Sequence, residues 1–218
     1  IFVIMEEIWI IGLGQFGYIA FQRLSDTGKD MHFTLVDPVE ENLLKCAGPT
    51  TTLEISDGVK FLERHLKTGR KPDWIIPALP VHLAAEWLLL RLGPTRLRRI
   101  PLPAEVDALV PNPIRGSEGN LYVSHADFKC PADCDEPQDI CSITRKMRYQ
   151  NMYDFLLNLS IKPLNSLNIR SYQLGPGIGG YRAEQLFEMK TTIEQTTGPV
   201  LLSTACCCHG VITALERL

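Results

Sequence analysis

No apolar run in this sequence is long enough to cross a bilayer. The longest, Leu83–Leu92, covers about half a membrane span and carries Glu86 and Arg91. Charge of one sign is also scarce. The 22 Lys and Arg against 25 Asp and Glu leave a net charge of −3, so no basic field draws the chain to nucleic acid. The short clusters Arg96, Arg98, Arg99 and Arg145–Arg148 read as solvated surface. No secretory leader is expected: apolar Ile1–Met5 is too short and is cut off by Glu6 and Glu7, which leaves Met5 as a candidate natural start. The seven cysteines are an odd set, and without a leader they are expected to stay reduced in a cytoplasmic protein rather than form a disulfide framework.

What is present starts at the N-terminus. Ile8-Trp9-Ile10-Ile11 runs into Gly12-Leu13-Gly14-Gln15-Phe16-Gly17, and Phe33-Thr34-Leu35-Val36 ends in Asp37, about 20 residues beyond the last glycine. A strand, a three-glycine turn, a helix and a second strand ending in a carboxylate form the dinucleotide-binding fingerprint. Gly12 permits the turn, Gly14 admits a pyrophosphate, and Gly17 lets helix and strand pack closely. Gln15 and Phe16 open the helix, whose free N–H groups attract phosphate. Asp37 accepts hydrogen bonds from ribose hydroxyls and repels a 2′-phosphate, and no Arg follows at 38 or 39, so NAD is favoured over NADP. The alternatives are a domain that keeps the turn only for packing, and one that binds another nucleotide such as an S-adenosyl group.

These residues, with Leu35-Val36-Asp37-Pro38, resemble the TrkA-N or RCK nucleotide-binding domain of potassium-uptake regulators, and they are similar to the first domain of many NAD(P)-dependent dehydrogenases. The resemblance covers about residues 6–95. It implies a Rossmann-type domain with an NAD(H)- or ATP-type ligand on Gly12, Gly14, Gly17 and Asp37.

Hydrophobic periodicity predicts strands at 8–11, 32–36, 50–55 and 74–76. Helices between them and over Val81–Leu92 make a parallel sheet with right-handed crossovers. The predicted fold is α/β, a Rossmann-like doubly wound parallel sheet over 1–110. A proline-rich, cysteine-bearing loop follows over 111–150. A C-terminal βαβ segment over 151–218 is expected to join the same sheet, with a strand over 169–174 and a closing helix over 211–217.

Three positions carry further chemistry. His82, just beyond the predicted strand 74–76, lies where α/β sheets bind ligands. It is a candidate acid–base residue with Glu86 one turn on to orient it, or else a helix cap. Cys130, Cys134 and Cys141 share the loop, and Cys206-Cys207-Cys208-His209 follows a predicted strand. Strand alternation would set Cys206 and Cys208 on one face, giving with the loop thiols a soft site for zinc or an iron–sulfur cluster, with His209 a spare ligand. Reduced packing thiols, or a thiol–disulfide or sulfenate switch, are the alternatives. Cys46 reads as a packing residue. Gly175–Gly180 resembles a second anion-holding turn but lacks the lysine and hydroxyl of a nucleotide-hydrolysing loop.

The function expected is NAD(H) binding with an oxidoreductase-like role. A nucleotide-sensing module of the TrkA-N/RCK type and a metal- or redox-sensing protein are the alternatives. A dinucleotide and an unidentified small-molecule substrate or protein are the expected partners, with no nucleic acid and no membrane span; a homo-oligomer is compatible.

Overall fold

The computed structural model describes residues 5–69, 71–116 and 118–218; the residues before the candidate start at Met5 lie outside it. The N-terminal half alternates as its periodicity predicts: β1 (Glu6–Ile11), α1 (Gln15–Ser25), β2 (Met31–Asp37), α2 (Glu40–Leu44), β3 (Thr51–Ile55), α3 (Gly58–His65), β4 (Trp74–Pro77) and α4 (Leu83–Leu92). Local chemistry sets several ends. Asp57 caps α3 by accepting from the Lys60 amide at 2.9 Å, and Gly93, with φ 77°, closes α4. The four strands pair in parallel in the order β3-β2-β1-β4.

Beyond α4 come β5 (Leu97–Arg99), α5 (Glu105–Leu109), β6 (Ile114–Arg115) and β7 (Leu121–Ser124). Residues 125–151 hold only an isolated bridge between Ile140 and Met147. Then follow α6 (Met152–Leu157), β8 (Asn165–Arg170), β9 (Tyr172–Gly175), β10 (Ile178–Arg182), α7 (Ala183–Gln195), β11 (Pro199–Ala205) and β12 (His209–Arg217).

The protein is α/β with two mixed sheets, which corrects the single parallel sheet expected. β10 and β9 extend the first sheet antiparallel beside β4. A second sheet runs β6-β7-β12-β11-β8, with β5 also on β12; only β8 and β11 are parallel. The stretch expected as one strand over 169–174 is two, and the chain changes sheet at Ser171. The glycine-rich stretch 175–180 forms a β-hairpin, with Gly177 at φ 71°, rather than a turn leading into a helix. Its tip is occupied: the Gly177 amide donates to the Cys134 carbonyl at 2.8 Å, so no free nest is left for an anion.

The closing helix expected over 211–217 is instead strand β12. Ile212–Leu215 is buried throughout, because β12 is central and covered on both faces. Burial on both faces erases the alternation that marks a strand in sequence.

Three clusters set the layers. Trp87, Leu88, Leu186 and Ile193 of α4 and α7 pack with Ile11 and Ile75 of the first sheet and Val200, Leu202 and Leu215 of the second. α4 and α7 therefore lie between the sheets, which explains why α4 is apolar nearly all round. α1 covers the outer face of the first sheet through Ala20 and Leu24. α5 and α6 cover the second through Val106, Met152 and Leu156. Among the described residues no helix is long and apolar enough to cross a membrane.

The position of α4 makes a direct prediction. Leu88→Ala, at a fully buried site, should lower the unfolding free energy by about 2–5 kcal/mol. Leu90→Ala, on the same helix but 48% exposed, should change it by under about 1 kcal/mol. Urea unfolding of the two variants measures both.

Candidate functional site

The glycine turn lies at the carboxyl ends of β1 and β2. Gly12 takes φ 95°, and a Cβ on Gly17 would stand 2.0 Å from the Gly12 carbonyl oxygen, so both positions exclude a side chain. Gly14, the N-cap of α1, has nothing within 4 Å of the place a Cβ would occupy. Gln15 and Phe16 are exposed, and no acidic side chain stands in the helix's first turn, so the carboxylate beside its positive end is that of Asp37. Asp37 is buried and holds the turn from within. Its Oδ2 accepts from the Leu13 amide at 2.6 Å, and its Oδ1 from the Val39 amide at 2.9 Å and Asn42 Nδ2 at 3.2 Å. A carboxylate accepts about four hydrogen bonds, so about one lone-pair site is left for a ligand.

From Phe16 a cavity of about 420 Å³ runs along the end of β4 to the tip of the β9–β10 hairpin. A second cavity of about 280 Å³ adjoins it, with Pro77 and Leu79 in the wall of both. His82 lines this second cavity, but as a cross-link rather than a free base. Its Nδ1 lies 2.8 Å from Thr213 Oγ1 on β12, and its Nε2 lies 2.9 Å from Thr204 Oγ1 on β11. Thr213 donates to Asn120 Oδ1 at 2.6 Å, and that oxygen also accepts from Arg99 Nη1 at 2.9 Å. With the Thr213 proton committed, its oxygen accepts from the His82 Nδ1–H, and Nε2 accepts from Thr204. Burial, and secondarily Arg99, lower the His82 pKa to about 3. Glu86 pairs with Arg99, so the expectation that it orients His82 is corrected. Tyr181 also lines this cavity, and its hydroxyl is buried with no hydrogen-bond partner among the described residues, a state that costs about 1–3 kcal/mol.

The cysteines meet at the other end of this crevice. β11 ends at Ala205, and the Cys206 amide donates to the His209 carbonyl at 2.9 Å, closing a two-residue hairpin turn over Cys207 and Cys208. Strand alternation stops there, which corrects the pairing of Cys206 with Cys208. Cys206 instead faces its cross-strand partner His209, with Sγ 4.0 Å from Nδ1. Cys207 is buried. Cys208 projects toward the loop, where it lines a cavity of about 440 Å³ together with Cys130, Cys134 and Cys141. The three loop thiols and one turn thiol thus share a cavity, while Cys206 lines the second cavity instead. His209 lines both cavities.

Nothing in 125–150 is buried, and its few half-buried residues include all three loop cysteines, Glu136 and Arg148. The loop is pinned from outside. Arg23 of α1 donates to the Ala132 and Pro176 carbonyls at 2.7 and 2.5 Å, and Gln173 Nε2 donates to the Cys134 carbonyl at 2.7 Å. Arg148 donates to Cys208 Sγ and to the Gln138 carbonyl. Burial pushes the Cys208 thiol up to about 12 in spite of that guanidinium. Burial, then the Glu136 carboxylate, push Cys206 well above the ordinary thiol range. Hydrogen bonds from the Thr144 side chain and amide hold Cys141 below it. Cys46 is buried in the cluster under α1, far from these thiols.

Glu136 was not among the residues expected. Its Oε1 accepts from the Cys208 amide at 2.7 Å, and its carboxylate, Cys206 Sγ and a ring nitrogen of His209 lie within 4.8 Å of one another. Its only sequence signal is its place two residues after Cys134.

Comparison with known proteins extends this picture. The model of the AF_1314_C family, described as the C-terminal domain of an uncharacterized protein, matches residues 84–218. The chain belongs to the AF_1314_C family. The matched region contains every cysteine except Cys46. An uncharacterized protein of Archaeoglobus fulgidus is 30% identical over 223 residues, covering 95% of this chain and 98% of its own length, so that similarity also spans the glycine turn. No solved structure matches significantly. In this AF_1314_C member, His82 sits just before the matched region and ties α4 to both central strands of the second sheet.

A pH dependence follows. The unfolded histidine takes up a proton near its ordinary pKa of about 6.5, whereas folded His82 does so only near 3. Its contribution to stability is therefore full above about pH 6.5 and is lost as pH falls toward 3, at up to about 1.4 kcal/mol per pH unit. Urea midpoints between pH 7 and 5 should fall faster in the native protein than in His82→Asn, and parallel curves would refute the assignment.

Proposed function

We propose that the protein binds NAD(H) at its glycine turn and has an oxidoreductase-like role that depends on a thiolate-ligated metal site, best matched by an iron–sulfur cluster. The observation that carries this reading is the convergence of Cys130, Cys134, Cys141 and Cys208 on one cavity. A single zinc with Zn–S bonds of about 2.3 Å needs its four sulfurs within about 3.8 Å of one another. Among the described residues the one trio of ligand atoms mutually within 4.8 Å is Glu136, Cys206 and His209, so the four thiols are spread more widely than one zinc requires. A cluster suits that wider set, and four thiolates are its usual complement.

The nucleotide half of the proposal is supported by the strand order β3-β2-β1-β4, which is that of half a Rossmann sheet. The open space at Gly14 and the lack of an acidic side chain in the first turn of α1 add to it. Asp37 and the lack of an arginine after it favour NAD over NADP. A nicotinamide supplies hydride chemistry and a cluster supplies one-electron chemistry. On this reading both lie along the one crevice formed by the adjoining cavities. Reduced thiols of this kind belong to a reducing compartment such as the cytoplasm.

Two measurements test the halves separately. Anaerobic reconstitution with iron and sulfide should give cluster absorption and stoichiometric iron, with most of the iron lost in Cys134→Ser and Cys208→Ser. A colourless protein without metal sinks the cluster. Gly14→Ala should weaken NADH binding at least about tenfold, roughly 1.4 kcal/mol, with no change in unfolding midpoint. Unchanged binding would mean that the turn serves packing alone. Nucleotide binding that persists without any metal would instead favour a sensing module of the TrkA-N/RCK type.

A further inference from the structure

We infer that Glu136, Cys206 and His209 form a separate site for one zinc-class divalent cation, with its fourth position on the cavity that Cys206 and His209 line. This site does not require a cluster in the neighbouring thiol cavity.

The hairpin builds it. Cys206 and His209 face each other across the first pair beyond the ladder, so their side chains share one side of the hairpin. Their Sγ···Nδ1 distance of 4.0 Å is close to the separation of about 3.5 Å that a tetrahedral zinc imposes on a sulfur and a nitrogen ligand. Small side-chain rotations close the difference. The His209 amide donates to Cys206 Sγ at 3.3 Å, the kind of outer contact that steadies a metal-bound thiolate. Glu136 arrives from the loop with φ 44° and is anchored through Oε1 to the Cys208 amide, which leaves its other oxygen for a cation.

The donor set is one sulfur, one nitrogen and one carboxylate oxygen. That mixture suits a borderline cation of the zinc class better than calcium or magnesium, which take oxygen alone. Three protein ligands are also the number found where zinc keeps a position open; structural zinc has four. Cys206 and His209 both line the cavity of about 280 Å³, so the fourth ligand, water or an oxygen of a small molecule, comes from there.

Cobalt(II) is the probe. The full-length protein, kept anaerobic, should take up one equivalent with visible d–d bands of low-coordinate cobalt and the charge-transfer intensity of a single thiolate. Glu136→Gln retains the acceptor for the Cys208 amide but removes the charge, and His209→Ala removes the nitrogen. Both should weaken cobalt binding at least about a hundredfold. Both should leave the iron content of the reconstituted thiol cavity unchanged, which separates this site from the cluster proposal. The inference fails if the native protein takes up no cobalt, or if its charge-transfer intensity is that of four thiolates. It also fails if both variants bind cobalt as the native protein does. The native spectrum decides the matter even if a variant does not fold.

Discussion

The two-residue turn between β11 and β12 is the constraint on which the candidate chemistry depends. A hairpin that tight fixes register, and register fixes direction. Cys206 and His209 are brought together on one side, Cys207 is buried, and Cys208 is left at the apex facing the loop. The turn's carbonyls also receive the first amides of α6, Met152 and Tyr153, at 2.9 and 3.1 Å, and the Cys208 carbonyl receives the His125 amide at 2.9 Å. One turn therefore anchors both ends of the cysteine loop, at His125 and at Met152. Inserting a single residue there would redirect every thiol and release the loop's closure.

The sandwich places that turn beside the glycine-rich half. α4 and α7 are shared by both sheets, so the inner faces of the two sheets bury one common core. The chain returns to the first sheet through Ser171, whose amide donates to the Ala205 carbonyl at 2.8 Å next to the turn. The β9–β10 hairpin then extends past β4 and meets Arg23 of α1. The helix opened by the glycine turn thus holds, at its other end, the loop that carries the thiols. Cavities that share Pro77 and Leu79, and then His209, are the empty counterpart of this continuous packing.

Much of this was legible in the sequence, and the failures have physical causes. β1 to α4 alternate locally, so spacing and glycines reveal them. The loop cysteines stood out because an irregular segment with little apolar content still contained three of them. Cys206 was misplaced because strand periodicity was extended through a turn that interrupts it. β12 looked helical because a central strand buried on both faces shows no alternation. The cross-link that His82 makes is not legible: its partners lie 131 and 122 residues away, and no local pattern encodes them. Glu136 was invisible because an acid in an acidic loop has no distinguishing spacing.

The loop 125–150 has little apolar burial to hold it. Fixing a residue's backbone costs about 1–2 kcal/mol, so ordering the stretch 125–150 costs tens of kcal/mol. Most ordered segments recover this by burying apolar side chains, and none of these residues belongs to any of the three core clusters. The side chains it turns inward are cysteines, a carboxylate and an arginine. Its hydrogen bonds to Arg23, Gln173 and the hairpin turn each return about 1 kcal/mol. A thiolate metal site contributes about 10–16 kcal/mol where it orders a peptide. If the proposed thiolate site is filled, metal binding and loop order are coupled, each favouring the other.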